Sequence, residues 1–442
     1  MPTNTNETPQ QEWKRKTLAY ALDVNNYVDK GLRDGWDNVG KEPNVPQSEH
    51  LAENALEAVR TANASSNTDN LREQWPLDYN PLLDLIKRNG QSIPILFILP
   101  DNSILARIGA TYEAGYTVHI DGDQVTEYPE ISHFGRSPDR RYFAIAQENG
   151  VQIIEGWGGG HVSFCPWPTG AENTPAGFTI EPLAEPPLPT ALIPFPDGQR
   201  VLLICSDGIF VLAPTGAIRL LPTTDDLRKH FQWLQNEYPG DKLKLNLSME
   251  HGAISQDGKL ITIGSQDSKH LVFNEQLELI ASIGFLSEYP HYVLFSADNS
   301  VIACNSCHFY NGITIGVPAF LLPGLETEEY EENPQTPVLE ENARVYAGVS
   351  RNDEFIVGDA YGYLRAFSIT GEYRWQHYIG STITGMDISE DGKTLVASSS
   401  AGFLSIIQLD AGSQLPEQIG NGNHREMRRW LFWKNEPKPL IW

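Results

Sequence analysis

A cysteine-histidine motif near the middle of the chain has the residue types and spacing for redox or metal chemistry. The stretch VIACNSCHFYNG, residues 301–312, places Cys304, Cys307 and His308 in the spacing C-x-x-C-H. This spacing is the attachment signature of a covalently bound haem. It is also half of a tetrahedral zinc site, because two thiolates separated by two residues can reach one metal ion. The backbone that carries the motif decides between these chemistries.

A short turn sequence recurs seven times along the chain, with a run of apolar residues on each side. The copies are LPDNS at Asp101, RSPDRR at Asp139, FPDGQ at Asp197, SQDGK at Asp257, SADNS at Asp298, SRNDE at Asn352 and SEDGK at Asp391. Asp-Gly and Asn-containing pairs accept the positive φ angles of tight hairpins, and the flanking Val, Ile, Leu and Thr residues favour strands. Each copy therefore predicts a strand, a tight hairpin and a second strand.

The spacing of the copies predicts four-stranded blades. The shortest spacing, 38 residues, approaches the ~40 residues of a propeller blade. Three stretches account for the longer spacings: a proline-rich segment at 163–190, a helical segment at 223–241 and an acidic segment at 324–343. With 37 glycines and 30 prolines, the composition also favours many short strands over long helices.

The repeat resembles that of the WD-repeat and quinoprotein-like β-propellers. The S-x-D-G-K turn is characteristic of WD-like blades, and GDAYGYLRAFSITGEYRWQHYIG, residues 358–380, is similar to a quinoprotein-type blade. The resemblance implies an all-β, seven-bladed β-propeller, which we place at residues 95–420, and it implies partner binding as a class. We do not carry over the quinone cofactor or metal of the quinoprotein dehydrogenases, because no vicinal cysteine pair and no export signal occur.

The repeat also gives the cysteine motif a structural setting. Aligning the fifth turn with the seventh places Cys304 on Ala397 and Cys307 on Ser400, so the motif falls at a strand end and the following hairpin. A free cysteine in a strand usually behaves as a small buried hydrophobe. No second C-x-x-C or H-x-x-x-H completes four metal ligands. We therefore predict neither a haem nor a metal site, and no cofactor.

Residues 1–94 differ from the rest and are predicted to form an N-terminal helical extension. Apolar residues recur near helical spacing in residues 12–32 and again in residues 48–62. A third helix is predicted from Asn80 as its N-cap to Gly90 as its C-terminal stop. These helices either pack on the propeller or form a separate docking module.

Residues 421–442 are predicted to form a short C-terminal helix and a closing strand. The stretch HREMRRWLFWKNEPKPLIW mixes arginines with aromatic residues, which is typical of an amphipathic helix. We expect residues 438–442 to be extended and to complete the last blade, because an unpaired sheet edge promotes aggregation.

The charge of the chain limits its partners. A formal net charge of -25 argues against sequence-independent binding to nucleic acid or to an anionic membrane, since both need a basic surface. Residues 323–343 contain seven glutamates and no lysine or arginine. A basic protein is therefore the expected partner, because complementary charge accelerates encounter. Four cysteines and no apolar leader favour a cytoplasmic location.

The sequence contains no G-x-S-x-G elbow, P-loop, H-E-x-x-H motif or EF-hand loop. We therefore predict a non-catalytic protein-protein interaction module, one form of which is a bacterial immunity protein that masks a basic toxin. The candidate partner-binding residues are Trp157, His161, Glu326, Glu328, Glu329, Glu331 and Glu332.

The alternative function is an enzyme with its active site in the central channel: a lyase, a hydrolase or a quinone-dependent oxidoreductase. Such a site needs histidines and carboxylates that converge from different blades. The positions of His133, His251, His291 and His377 discriminate between the two functions.

Overall fold

The computed structural model describes residues 7–442. Seven antiparallel sheets follow one another along this part of the chain, each with its first four strands antiparallel. The first strands of successive sheets contact each other, and the first strand of the seventh sheet contacts that of the first. The sheets therefore close into a ring around a central channel, and the chain is the seven-bladed β-propeller that the repeat predicts.

The first four blades occupy residues 95–283. Blade 1 consists of β1 (Ile95–Ile98), β2 (Ile104–Ile108), β3 (Tyr116–Asp121) and β4 (Gln124–Tyr128). Blade 2 consists of β5 (Phe134–Arg136), β6 (Tyr142–Gln147), β7 (Gly150–Glu155) and β8 (His161–Pro166). Blade 3 consists of β9 (Pro189–Pro194), β10 (Val201–Cys205), β11 (Gly208–Ala213) and β12 (Gly216–Leu221). Blade 4 begins with β13 (His251–Ile254), β14 (Leu260–Gly264), β15 (His270–Asn274) and β16 (Leu279–Ile283).

Blades 5 to 7 complete the ring. Blade 5 consists of β17 (Tyr289–Phe295), β18 (Val301–His308), β19 (Asn311–Pro318) and β21 (Val338–Glu341), and the short strand β20 (Leu325–Glu326) lies between β19 and β21 in the chain. Blade 6 consists of β22 (Val345–Arg351), β23 (Glu354–Asp359), β24 (Tyr363–Ser368) and β25 (Tyr373–Tyr378). Blade 7 consists of β26 (Ile383–Ile388), β27 (Thr394–Ser399), β28 (Phe403–Gln408), β29 (Arg425–Leu431) and β30 (Leu440–Ile441).

All seven predicted turns join the first strand of a blade to its second strand. In blade 7, Ser389 Oγ donates to Asp391 Oδ1 at 2.6 Å, and the Thr394 amide donates back to Ser389 Oγ at 2.9 Å. The serine and aspartate of the turns in blades 2, 4 and 5 make the same contacts. The S-x-D sequence therefore satisfies the backbone of its own hairpin, which explains why it recurs in four of the seven blades.

The acidic segment forms part of the scaffold. After β19 the chain crosses from blade 5 to blade 4, where β20 pairs parallel with β16 through Ala281 opposite Leu325 and Ser282 opposite Glu326. The chain then returns to blade 5 as β21. The segment predicted as a loop extension therefore adds a fifth strand to blade 4 and connects two neighbouring blades.

Five α-helices in the described part of the chain lie outside the sheets. They are α1 (Pro9–Asp34), α2 (Ala52–Ala64), α3 (Leu71–Gln74), α4 (Leu83–Asn89) and α5 (Thr224–Glu237). Short 3-10 turns occur at Trp36–Asn38, Glu49–Leu51, Asn80–Leu82 and Ala319–Leu321. Capping boxes begin α1 at Thr8 and α5 at Thr223. The predicted N-terminal helices and the predicted helix in residues 223–241 are therefore present. None of the helices among residues 7–442 combines the length and apolar character needed to cross a membrane.

The N-terminal helices pack on blade 7 around a cluster of three tryptophans. Trp13 of α1 lies 5.9 Å from Trp75 and 6.3 Å from Trp442, measured between ring centroids. The Trp442 indole donates to the Trp75 carbonyl at 2.7 Å. The same hydrophobic cluster includes Phe403 and Leu431 of blade 7. Of the two arrangements expected from the sequence, the structure has the helices packed on the propeller.

The C-terminal helix predicted from the sequence is wrong. Arg425–Leu431 is the strand β29, which pairs with β28 through Leu404 opposite Trp430. These residues form a strand because β28 would otherwise be an unpaired sheet edge. Pairing with β28 outweighs the local helix propensity of the segment. The arginines do not form a solvated helix face, since Arg429 is buried in an ion pair with Glu426. The closing strand is confirmed, since β30 pairs with β29 inside the predicted range 438–442.

Hydrogen bonds close the ring between blades 7, 1 and 2. The Ile98 amide of blade 1 donates to Asp387 Oδ2 of blade 7 at 2.7 Å. The other carboxylate oxygen of Asp387 accepts from Arg136 of blade 2 at 2.8 Å, and the same guanidinium donates to the Ile98 carbonyl. Close approach of the inner strands also needs glycine: a Cβ on Gly135 would lie 1.5 Å from the Leu192 carbonyl oxygen.

Candidate binding sites on the upper face

The strand directions divide the propeller into two faces. The first strand of every blade ends at one of the seven Asp or Asn turns, so these turns share one face, here called the lower face. The opposite face, here called the upper face, carries the starts of the first strands and the loops between second and third strands. Loops on one face of a rigid scaffold are the usual place for binding residues.

The central channel is a cavity of about 520 Å³. First strands of all seven blades line it, and its wall is mainly apolar, with Ile95, Ala191, Ala253, Tyr292 and Met386 among its residues. Its size lies within the range of small-molecule sites, about 300–1,000 Å³. The polar groups stand at the two ends: the Arg136 and Asp387 pair at the lower face and a larger cluster at the upper face.

Glu250 is the acidic group of the upper cluster. It precedes β13, is 4% exposed and lines the channel. Its Oε1 accepts a hydrogen bond of 2.9 Å from the Tyr112 hydroxyl and another from the Thr190 hydroxyl. Tyr112 belongs to blade 1, Thr190 to blade 3 and Glu250 to blade 4, so these contacts span the channel mouth. Partial burial raises the pKa of Tyr112 to about 12, and the charge of Glu250 and its hydrogen bond add to the effect of burial.

A buried arginine fixes the loop that carries Tyr112. Arg107 on β2 is fully buried and donates to four carbonyls, those of Ser132, Gly109, Ala110 and Glu113. Three of these carbonyls belong to the loop between β2 and β3. These hydrogen bonds therefore hold the loop in one conformation, with Tyr112 over the channel.

Four histidines were expected to discriminate between the two functions, and three of them lie at the upper end of the channel. His251 and His291 line the channel, and His133 precedes β5 beside the Tyr112 loop. Burial lowers the pKa of His251 and His133 to about 4, with Arg107 adding to the effect on His133. Burial and the Arg344 charge lower the pKa of His291 to about 3. His377 lies apart, on the outer strand β25.

The histidines are held by backbone and neighbouring rings. His251 Nδ1 lies 2.7 Å from the Met249 carbonyl, and its Nε2 lies 3.1 Å from Nδ1 of buried His270. His291 Nδ1 lies 2.6 Å from the Val345 carbonyl, which makes it a donor and leaves Nε2 to accept from Arg344. These contacts suit neutral rings in fixed tautomers, and they occupy both ring nitrogens of His251 and of His291, so neither ring has a nitrogen left for a substrate in the channel.

The five predicted glutamates lie at the upper face, next to blades 4 and 5. Glu326 is in β20, which runs in the same direction as β16 toward that face. Beyond β20, the Tyr330 amide donates to the Phe285 carbonyl at 2.7 Å, which fixes the segment beside the loop between blades 4 and 5. Glu326, Glu328, Glu329, Glu331 and Glu332 are all exposed.

Exposed aromatic residues lie on the same upper face, in blades 5 and 6 and in the acidic segment. Phe309 and Tyr310 form the turn between β18 and β19, and they are 75% and 58% exposed. Tyr361 of blade 6 lies 5.5 Å from Tyr310 between ring centroids. Tyr330 is exposed within the acidic segment. We call these four aromatic residues, together with Glu288 and Glu328 to Glu332, the upper patch.

Trp157 and His161 do not belong to the upper patch. Trp157 is half-buried and packs against Phe134 and Phe143 of blade 2, with ring centroids 5.6 Å apart in both cases. The indole fills the gap between blades 1 and 2, so its ring is only partly exposed. His161 is exposed at the start of β8, the outer strand of blade 2. Blade 3 separates both residues from the acidic segment of blade 4.

The cysteine motif is divided by its strand. Cys304 and Cys307 lie on β18, where residues three positions apart face opposite sides of the sheet. Cys304 is packed among apolar residues of blades 4 and 5, and burial raises the pKa of its thiol. His308 is exposed and contacts Glu288 at 2.8 Å. Within residues 7–442, no group of three or more His, Cys, Asp or Glu side chains has the geometry to hold a metal ion.

Sequence reasoning missed the channel cluster. Nothing local marks Glu250, Tyr112 or Thr190, because they come from three blades and meet only after the ring closes. The aromatic turn did carry a signal in its sequence, because Phe309 stands at a hairpin position that favours glycine or asparagine. In the structure Phe309 has φ +52°. A two-residue hairpin with Phe and Tyr at its centre is unusual enough to indicate an exposed site.

Comparisons with known proteins give similarity in architecture at low sequence identity. Neither the protein-family models nor the curated proteins contain a match to the chain. The computationally designed Ika8 protein is similar with a TM-score of 0.44 and 12% identity, over 72% of this chain and 96% of that one. Hydrazine synthase from Kuenenia stuttgartiensis has a TM-score of 0.41 and 13% identity, over 66% and 80%. KlHsv2 with its loop 6CD replaced by a Gly-Ser linker has a TM-score of 0.41 and 9% identity, over 72% and 93%.

Proposed function

We propose that the chain is a non-catalytic protein-protein interaction module that binds a basic segment of a partner through the upper patch. The observation that carries this proposal is that exposed glutamates and exposed aromatic rings share one face at blades 4 to 6. The propeller fold is suited to such a role, because loops from several blades form one surface on a rigid ring.

The carboxylates of the upper patch have charge available for a partner. Among residues 7–442, Glu329, Glu331 and Glu332 have no lysine, arginine or histidine within ion-pair distance, and Glu328 lies 3.8 Å from Lys269. Complementary charge at such a surface accelerates encounter and selects against acidic partners. The net charge of -25 adds a long-range attraction for basic proteins.

The aromatic residues supply the contact area that charge alone lacks. Phe309 and Tyr330 are exposed at φ angles of +52° and +62°, where side chains other than glycine pay about 1 kcal/mol or more. Large aromatic residues dominate the binding energy of protein interfaces. An exposed ring held in an unfavourable backbone conformation is consistent with a role in contact with a partner.

The patch is ordered before any partner arrives. Thr327, which follows β20, accepts from the Gly284 amide with its hydroxyl, and its carbonyl accepts from the Lys269 ammonium, both at 2.8 Å. These contacts, one to the side chain and one to the main chain of Thr327, hold this point of the acidic segment against blade 4. A pre-ordered surface loses less conformational entropy on binding.

A bacterial immunity protein that neutralises a basic toxin, such as a nuclease, is one specific form of this proposal. The acidic charge of the patch supports it. The test of this form is co-expression: the chain should restore growth of cells that express the toxin it binds, and a patch variant should not.

The general proposal is tested with paired variants on the two faces. The patch variants are Phe309→Ser with Tyr310→Ser, and Glu329→Gln with Glu331→Gln. The matched controls are Phe320→Ser, at an aromatic residue that is 81% exposed after β19, and Glu275→Gln with Glu278→Gln in the turn between β15 and β16. Both controls lie toward the lower face.

In 0.1 M salt, we expect the patch variants to retain at least about tenfold less partner protein than the wild type retains. The control variants should retain as much as the wild type. Raising the salt to about 0.5 M should weaken retention, since exposed charges are then screened. Equal retention by patch and control variants would exclude the upper patch as the binding surface.

A further inference from the structure

The channel contains a buried carboxylate with half of its hydrogen-bonding capacity unused. Oε2 of Glu250 is buried and has no hydrogen-bond partner among residues 7–442, whereas Oε1 accepts from both Tyr112 and Thr190. A carboxylate oxygen can accept two hydrogen bonds, and leaving one unpaired inside a protein is costly. Such a group at the wall of a cavity points to a ligand.

Cationic side chains do not neutralise this carboxylate. Among the described residues, no lysine, arginine or histidine lies within ion-pair distance of Glu250. The buried arginines Arg136 and Arg429 pair with other carboxylates, those of Asp387 and Glu426. The neighbouring histidines do not supply the charge, because burial lowers the pKa of His251 to about 4. A buried carboxylate without a counter-ion is unfavourable unless a cation joins it.

The cavity beside Glu250 has the shape for an apolar stem. Its wall combines aliphatic side chains such as Ile95, Ala253 and Met386 with the ring of Tyr292. A volume of about 520 Å³ accommodates a molecule of drug-like size or smaller. The single carboxylate at one end of this apolar wall matches a ligand with one charged end.

We propose that the channel binds a small organic cation, a protonated amine on an apolar stem, with the ammonium group at Glu250 Oε2 and the stem along the channel wall. The ammonium would donate to the unpaired oxygen and supply the missing counter-charge. A metal ion suits the site less well, because among the described residues Glu250 belongs to no group of three or more His, Cys, Asp or Glu side chains that could complete its coordination.

The Tyr112 loop would determine access to this site. Tyr112 spans the mouth from blade 1 to blade 4 and occupies Oε1, and Oε2 is closed to solvent in this arrangement, so a ligand would reach Oε2 only after a side chain at the mouth moves. Because Arg107 fixes the base of the loop, movement of the Tyr112 side chain alone would open the mouth. This site is separate from the upper patch, and its occupancy does not depend on the proposed partner.

The first experiment measures binding of hexylammonium and of hexan-1-ol to the full chain by saturation-transfer NMR and calorimetry. The two probes share a stem and differ in charge. Glu250→Gln keeps an acceptor for Tyr112 and Thr190 but removes the charge. Glu113→Gln, an exposed position in the same loop, is the matched control.

We expect hexylammonium to bind the wild type and the Glu113→Gln variant equally, and to bind Glu250→Gln at least tenfold more weakly. Hexan-1-ol should bind all three proteins with the same weak affinity. Equal hexylammonium affinity for Glu250→Gln and wild type would overturn the proposal, as would the absence of binding at about 10 mM ligand.

A second experiment needs no variant and covers the case in which Glu250→Gln does not fold. An alkylamine with a diazirine at the far end of its stem is photolysed on the wild-type protein, and labelled peptides are identified by mass spectrometry. Labels in β13 or β26, which line the channel, support the proposal. Labels confined to the outer strands would refute it. The Glu329→Gln and Glu331→Gln variant should label like the wild type even if the partner proposal fails.

Discussion

Replacing Trp442 by alanine should release the N-terminal helices from the propeller. The Trp442 side chain is 2% exposed and stacks on Trp13 of α1 with an interplanar angle of 26°. Its indole donates to the Trp75 carbonyl, and its backbone carbonyl accepts from Arg72 at 3.0 Å. One residue of blade 7 thus contacts three parts of the helical extension.

The expected cost follows from the buried area and the lost hydrogen bond. A buried indole removes about 200 Å² from water, which at about 25 cal/mol per Å² stabilises by ~5 kcal/mol at most. Substitutions of buried tryptophan by alanine typically cost about 3–5 kcal/mol. The unpaired Trp75 carbonyl adds about 1 kcal/mol. We therefore expect the variant to lose about 4 kcal/mol.

Denaturant unfolding and amide hydrogen exchange measure this loss in two ways. If the helices detach as a unit, a loss of about 4 kcal/mol accelerates exchange in α1 and α2 about 10³-fold, while exchange in blades 2 to 4 stays unchanged. Trp442→Phe keeps a ring and should cost about 1–2 kcal/mol. Trp233→Ala, at a residue that is 55% exposed on α5, should cost less than about 0.5 kcal/mol. A loss below about 1 kcal/mol for Trp442→Ala, or unchanged protection of α1, would refute the role given to this tryptophan.

Three further predictions concern buried polar groups. Glu426→Gln should cost about 3 kcal/mol in urea unfolding, because it leaves Arg429 and Arg72 without their buried counter-charge; a change below about 1 kcal/mol would contradict this. Burial raises the pKa of Asp78 to about 6, so the folded chain binds a proton more tightly than the unfolded chain, and stability should fall by up to ~3 kcal/mol as the pH rises from about 4 to about 6. Asp78→Asn should reduce this pH dependence, and equal slopes for the two proteins would disprove the assignment. The four buried cysteines should stay unreactive toward a thiol reagent at pH 8 and all react after unfolding, whereas a fast-reacting thiol in the native protein would contradict their burial.

The repeat was predictable from the sequence because its hydrogen bonds are local. Ser389 and Asp391 complete their turn within six residues, so a similar turn sequence recurs from blade to blade. The helix from Thr224 to Glu237 was likewise expected within residues 223–241, and the structure shows that a capping box at Thr223 begins it. Features whose stabilising contacts lie within a few residues of one another leave a pattern that can be read directly.

The remaining features depend on contacts between distant segments. The strand β29 looked helical because its pairing partner β28 and its ion-pair partner Arg72 lie elsewhere in the chain. The site around Glu250 joins residues 138 positions apart in the sequence, as its hydrogen bond to Tyr112 shows. No local pattern encodes such a meeting, since it depends on how seven blades close.

Because β20 crosses from blade 5 to blade 4, the backbone position and the surface charge of the acidic segment depend on different groups. Its pairing with β16 holds the position of the segment through backbone hydrogen bonds, while the side chains of Glu326, Glu328, Glu329, Glu331 and Glu332 are exposed to solvent. Mutations of these side chains can therefore change the charge and shape of the surface without disturbing the ring. The charge of this surface is thus free to change by substitution on a backbone whose path the two blades keep constant.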